Sequence, residues 1–188
     1  MTAPASCADL DALSPEAAIA ELAPLLEGAP RFLARLVAER PFGTWDSMFE
    51  RAREIAHAMP EAQQVELIDA HPRLGAPREA VSALSAREQG HGAGAAAAPA
   101  TSQVPAALAA LNDAYEARFG FRYCVYVAGR PLASLVPELE AALARDREPE
   151  LHRALDAVVD IARARHAAAA RREAGVRREV GTAREGAR

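Results

Sequence analysis

Prolines cut this chain into helix-sized pieces, and that punctuation constrains its fold more than any other feature. Ser14-Pro15-Glu16 joins a side-chain cap, a proline in the first turn and an acid beside the positive helix end. A helix from Pro15 is expected to end near Gly28. Pro30 opens a second, with Phe32, Leu33, Leu36 and Val37 on one stripe. Thr44 can cap a third through Met48, Phe49 and Ile55. Pro60 starts a fourth, which must close at His71 because Pro72 disfavours helical geometry in the residue before it.

What fills the space between such pieces follows from composition. Apolar residues make up 51% of the 188 but aromatics only 5%, so alanine, leucine and valine must build most of the core. Alanine is the best helix former, which favours an all-α protein, and the length suits one domain with a proper core. Residues 72–84 read as a loop and Ser85–Gln89 as the start of a short helix. "GHGAGAAAAPATS" reads as a mobile surface loop or a weakly formed helix. The pattern is helical again from Val104 to Phe119, with Leu108, Leu111 and Tyr115 on one face. Two long helices are expected over Leu132–Arg145 and Pro149–Ala170.

One stretch differs. In "FRYCVYVAG", Phe121, Tyr123, Val125 and Val127 alternate with Arg122, Cys124 and Tyr126, the two-residue period of extended chain. With no second such pattern, an isolated extended segment packed among helices is expected rather than a sheet. The domain is thus expected over 1–170, a single helical bundle. Residues 171–188, with six arginines against three glutamates and no apolar stripe, are expected to form a disordered basic tail.

The bulk properties exclude several classes. A net charge of -4 gives no strong attraction to nucleic acid or an anionic membrane, and no apolar run approaches the roughly 20 residues of a membrane span. The N-terminus lacks the positive flank and apolar block of a secretory signal, and Cys7 and Cys124 are too few for a disulfide framework or a four-ligand zinc site. A cytoplasmic protein with reduced thiols is expected. His57, His71 and His91 are scattered, without metal-ligand spacing, and no phosphate loop or nucleophile elbow appears.

Four features carry possible chemistry, each with a plainer alternative. His71 could simply suit the negative end of a helix dipole, but Pro72 and Gly75 hold it on a stiff shoulder, as an acid/base group must be held. Ser85-x-x-Glu88 has the spacing of a capping box, which leaves Gln89 unexplained. The block "LNDAYEARFGFRYCVYVAGR" could be core alone, yet an extended buried segment leaves backbone N–H and C=O groups that a polar ligand can satisfy. Arg163 and Arg165 in "IARARH" are two positions apart, so only one can share a helix face with Ile161, and solvated surface positions would explain both.

The order of these motifs is specific. "HPRLG", "SAREQG", "LNDAYEARFGFRYCVYVAGR" and "ALDAVVDIARARH" together resemble the 2-oxo-4-hydroxy-4-carboxy-5-ureidoimidazoline (OHCU) decarboxylase family, from about Leu10 to about His166. The resemblance implies an all-α fold, a homodimer, and cofactor-free conversion of OHCU to (S)-allantoin and carbon dioxide in urate breakdown. It places the catalytic histidine on His71 and further catalytic groups on Glu88 and Arg165. Substrate contacts fall on Pro72, Ser85, Gln89 and the main chain of Tyr123, Cys124, Val125, Tyr126 and Val127. Two other readings stand beside it: a catalytically inactive helical module that binds a purine-derived ligand, and an interaction protein whose basic tail touches nucleic acid.

Overall fold

The computed structural model describes residues 6–89 and 103–185, with side chains through residue 175. The expected alanine–glycine loop and His91 lie outside the described residues. Nine α-helices are present among those described, and no strand. α1 (Cys7–Ala12) was not foreseen; Ser6 caps it reciprocally with Asp9. α2 (Pro15–Leu22) is capped by Ser14 and tightens into a 3-10 turn over Ala23–Leu25, well before Gly28. α3 (Pro30–Ala38) buries the anticipated stripe, and α4 (Trp45–Ala58) is capped by Thr44, whose hydroxyl accepts from the Ser47 N–H. α5 (Glu61–Asp69) ends two residues ahead of His71.

The short α6 (Ala83–Glu88) starts earlier than the sequence suggests. Its N-cap is Ser82, which accepts from the Ser85 N–H. Ser85 is therefore no cap, and the capping-box alternative for Ser85 and Glu88 fails. α7 (Val104–Phe119) has the expected bounds and stops at Gly120, whose left-handed backbone (φ +77°) ends the helix without a Cβ penalty. α8 (Leu132–Ala142) and α9 (Arg147–Glu185) complete the chain. α9 runs past Ala170, where the expected disordered tail would begin. Alanine and arginine are strong helix formers, so the backbone continues as helix without an apolar stripe to bury.

α9 is the axis. It packs on α4, on α5 and on the 3-10 turn after α2, while α7 and α8 pair with one another. The core runs from Leu10 through Phe32, Leu36, Met48 and Ile68 to Leu155, Val158 and Ala162. Phe119, Phe121, Tyr115 and Tyr123 gather as one aromatic cluster, Tyr115 lying edge-on to Phe121 and Tyr123.

Between α7 and α8, residues 122–127 are neither helical nor paired in a sheet. The strict alternation expected there holds only in part. Phe121, Tyr123 and Val127 are buried, but so is Cys124, while Val125 is half-buried and Tyr126 exposed. A segment with helices on one side and a hollow on the other need not keep a sheet's two-faced order. Among the described residues no helix is long and apolar enough to cross a membrane.

Candidate active site

The shoulder that carries His71 is fixed from three directions. Arg122 donates from Nη1 to the carbonyls of Asp69 (2.8 Å) and His71 (2.9 Å), and its backbone N–H donates to the Asp69 carboxylate (2.8 Å). Arg73 forks onto Glu116 of α7 at 2.7 and 2.6 Å and reaches Asp113 at 2.8 Å, while Asn112 donates to the Leu74 carbonyl at 2.9 Å. Gln89 closes the loop: its Oε1 accepts from the Gly75 N–H (2.7 Å) and its Nε2 donates to the Arg73 carbonyl (3.2 Å). Gly75 is required there. It has φ +78°, and a Cβ would sit 2.9 Å from Leu108 Cδ1.

With the backbone so held, the His71 ring is only 4% exposed, yet neither nitrogen has a hydrogen-bond partner among the described residues. Burial, then the Arg165 charge, lower its pKa to about 4, against smaller upward pulls from Glu27 and the nearby Leu67 carbonyl. The imidazole is therefore neutral at neutral pH, with one N–H to give and one lone pair to receive. A buried polar ring without partners marks a place that a ligand completes.

The ring opens on a small hollow whose walls include Pro72, Ser85, Glu88, Gln89, Arg165 and residues 123–127. His71, Pro72, Ser85, Glu88, Gln89, Arg165 and residues 123–127 thus converge, and Arg163 does not. The two candidate arginines part company: the Arg165 side chain is 1% exposed and lines the hollow, whereas Arg163, at 40%, pairs with Glu50 on α4 and lies over the Phe49 ring.

Arg165 does something other than what its type suggested. Nε donates to Glu88 Oε1 (2.7 Å), and Nη1 donates to the carbonyls of Pro24 and Leu25 (both 3.2 Å). Nη2 serves Glu27 (2.7 Å), Glu88 (2.8 Å) and Ser85 Oγ (2.9 Å). A guanidinium has five N–H groups, and the protein uses them all. No donor remains to clamp a substrate carboxylate. Burial would lower its pKa, but Glu88 and Glu27 outweigh that and hold Arg165 above the ordinary value, firmly charged.

Glu27 is the residue the sequence did not announce. It sits beyond the 3-10 turn in the left-handed region, at φ +50°, and its Oε1 also accepts from Ser82 (2.9 Å) and Ser85 (2.5 Å). In the sequence its neighbourhood read only as a helix end near Gly28. Arg153 was missed as well: its Nη1 takes the Cys124 carbonyl (2.9 Å), and its guanidinium lies 4.9 Å from the Tyr123 ring centroid. Arg130 takes the carbonyls of Val127 (3.1 Å) and Tyr126 (3.0 Å). Among the described residues the N–H groups of 123–127 donate to no acceptor, and these residues form one wall of the hollow.

Residues 11–167 match the OHCU decarboxylase family. The chain belongs to that family. It is 30% identical over 159 residues to the uric acid degradation bifunctional protein PucL of Bacillus subtilis, a match covering 85% of this chain but only 31% of that protein. The chain spans less than a third of this longer relative. A 2-oxo-4-hydroxy-4-carboxy-5-ureidoimidazoline decarboxylase of Halalkalicoccus jeotgali is 26% identical, with 84% of this chain and 87% of that one covered. The fold is shared with a solved OHCU decarboxylase crystallised in the presence of (S)-allantoin, at TM-score 0.63 and 20% identity, over 80% of this chain and 96% of that one. The matched span includes the HPRLG, SAREQ and FRYCVYV segments, which are far apart in sequence and meet at one hollow.

Proposed function

We propose that this chain decarboxylates OHCU to (S)-allantoin without a cofactor, with His71 as the proton-transfer group. The observation that carries the reading is the neutral, buried imidazole with no protein partner among the described residues, facing a hollow walled by residues 123–127, whose backbone N–H groups have no acceptor among the described residues.

The substrate supplies its own electron sink. Its carboxylate leaves from a carbon next to a ring C=N. As the C–C bond to carbon dioxide breaks, its electron pair forms a C=C bond and the imine pair moves to nitrogen, which takes a proton from water. The enol-type product then loses its hydroxyl proton and gains one on the neighbouring carbon. His71 can do both parts: the lone pair accepts the hydroxyl proton, and the resulting imidazolium returns it to one face of the ring. A positioned acid/base group contributes roughly 10²- to 10⁴-fold.

The remaining residues hold and polarise. The free N–H groups of Tyr123–Val127 bind the oxygen-rich ureido and ring carbonyls. Gln89, its amide engaged with the loop, and Pro72 shape the opposite wall. Glu88, fixed by Arg165, sets a negative charge near the substrate carboxylate and favours its departure as neutral carbon dioxide. The same reading makes the chain a cytoplasmic homodimer, which sedimentation and cell fractionation test.

Freshly generated OHCU, followed by circular dichroism, is the direct experiment. Wild type should produce the (S)-allantoin signal far faster than the uncatalysed decay, and His71→Ala should not. Equal traces with and without wild type would leave a binding module without turnover.

A further inference from the structure

Glu27 does not line the hollow, yet it is among the most constrained side chains near it. Its carboxylate oxygen Oε1 receives Arg165 Nη2 at 2.7 Å, Ser85 Oγ at 2.5 Å and Ser82 Oγ at 2.9 Å. Its backbone stands at φ +50°, a region that glycine, asparagine and aspartate occupy far more readily than glutamate. Nothing in the turn itself calls for a long acid in a strained position. Strain of this kind persists where the surrounding structure over-determines it, commonly at a working site.

The charge count around Arg165 shows what the strain secures. One guanidinium faces two carboxylates, Glu27 and Glu88, at 2.7 Å each. Burial alone would raise Glu27, but the Ser85 hydroxyl, Arg165 and Ser82 overcome it and hold the acid below its ordinary value, so it is ionised. The cluster carries a net negative charge beside the hollow, and its only cation has no N–H left to offer. A substrate carboxylate entering the hollow meets that charge. A neutral ligand does not.

We propose that Glu27 is a positioning residue for the reaction: by occupying Arg165 it keeps the guanidinium from pairing with the substrate carboxylate and leaves Glu88 effective in expelling it. Binding energy from the ureido end then holds the carboxylate in an unfavourable field, which is relieved when carbon dioxide departs. An interaction that opposes the ground state and vanishes in the transition state raises kcat rather than affinity. Glu27 also ties Ser82 and Ser85, and so α6 with Glu88, to the turn after α2. The inference rests on the decarboxylase reading above.

The test is steady-state kinetics of the full chain on fresh OHCU, with inhibition by (S)-allantoin, which lacks the carboxylate, for wild type, Glu27→Gln and Glu27→Asp. Glu27→Gln keeps the shape and removes one charge, freeing Arg165 towards the substrate. The expected result is a kcat roughly tenfold lower with a KM equal to or below wild type. (S)-Allantoin inhibition should stay within about twofold, because a neutral ligand does not read the charge. Glu27→Asp, which keeps the charge, should recover most of the lost kcat. A kcat at the wild-type level in Glu27→Gln, or a lower kcat accompanied by a raised KM and equally weakened allantoin inhibition, overturns the proposal and leaves Glu27 a structural tie. If Glu27→Gln does not fold, Glu27→Asp and Ser82→Ala decide: wild-type KM with weakened kcat in Ser82→Ala supports the proposal, and a raised KM in both sinks it. An inactive wild type would instead sink the decarboxylase reading itself.

Discussion

Two buried polar clusters touch the same extended segment, and they are built in opposite ways. At Glu150, 1% exposed, both carboxylate oxygens are engaged: the Tyr115 hydroxyl and Arg153 Nε each donate to Oε1 at 2.8 Å, and Arg145 donates to Oε2 at 3.0 Å. At His71 the ring is as deeply buried and has no partner among the described residues. The Glu150 carboxylate spends its polarity inside the protein, although Arg153 Nη2 beside it makes no hydrogen bond among the described residues. It pins the wall, through Arg153 and the Cys124 carbonyl. The imidazole keeps its polarity for something that arrives. Both central side chains are buried, and what separates them is that the carboxylate of Glu150 is engaged on both oxygens while the imidazole of His71 is engaged on neither nitrogen.

The contrast breaks first if His71 proves to be scaffold. His71→Ala should lower kcat/KM for OHCU by about 10²- to 10⁴-fold. Its folding stability in urea should fall by no more than about 1 kcal/mol, since no hydrogen bond among the described residues is lost. A loss of several kcal/mol with retained turnover would put the histidine in the same class as Glu150.

Glu150→Ala should do the reverse. It leaves the Arg153 and Arg145 charges without their acid, which costs about 3 kcal/mol in urea unfolding, while kcat of the folded protein stays within a few-fold. Tyr115 is held above its ordinary value by burial first and then by Glu150, so removing the acid also relieves that phenol.

Acid sharpens the same comparison. The unfolded chain protonates its histidine near 6.5, whereas folded His71 resists protonation down to about 4. Between those values the unfolded state binds more protons, so stability falls as pH drops from about 6.5 to 4 and is fully lost for this group below 4. The contribution is of order 3 kcal/mol, and His71→Asn should flatten that part of the urea-midpoint profile. An unchanged slope would mean the imidazole is not buried and neutral.

The smallest effect distinguishes the neighbouring arginines. Arg163→Lys, half-exposed where α9 faces α4, should change stability by less than about 1 kcal/mol and activity by less than about twofold. Arg165→Lys replaces a fork serving five acceptor groups and should lower kcat about tenfold or more. Equal behaviour of the two would undo the placement of Arg165 in the site.

Much of this was legible in the sequence because it is local. Prolines and caps at Ser14, Thr44 and Gly120 set helix ends through backbone donors and acceptors within a few residues. The His71-Pro72 shoulder and the lone extended segment followed from backbone geometry, and the order of four motifs carried the family. Even the errors were local. Ser85 looked like a cap until Ser82 took that part three residues earlier, and the polar 171–185 stretch continued as helix because propensity alone can extend a helix already nucleated by a packed one.

What only the tertiary structure decided is long-range and electrostatic. Glu27 and Arg165 are 138 residues apart in the chain, and no spacing rule links them. Whether a guanidinium is free or filled, and whether an imidazole is charged, depends on which groups the fold brings within a few ångströms and how much water it excludes. Residue identity names what chemistry is available. Packing chooses which of it remains unspent.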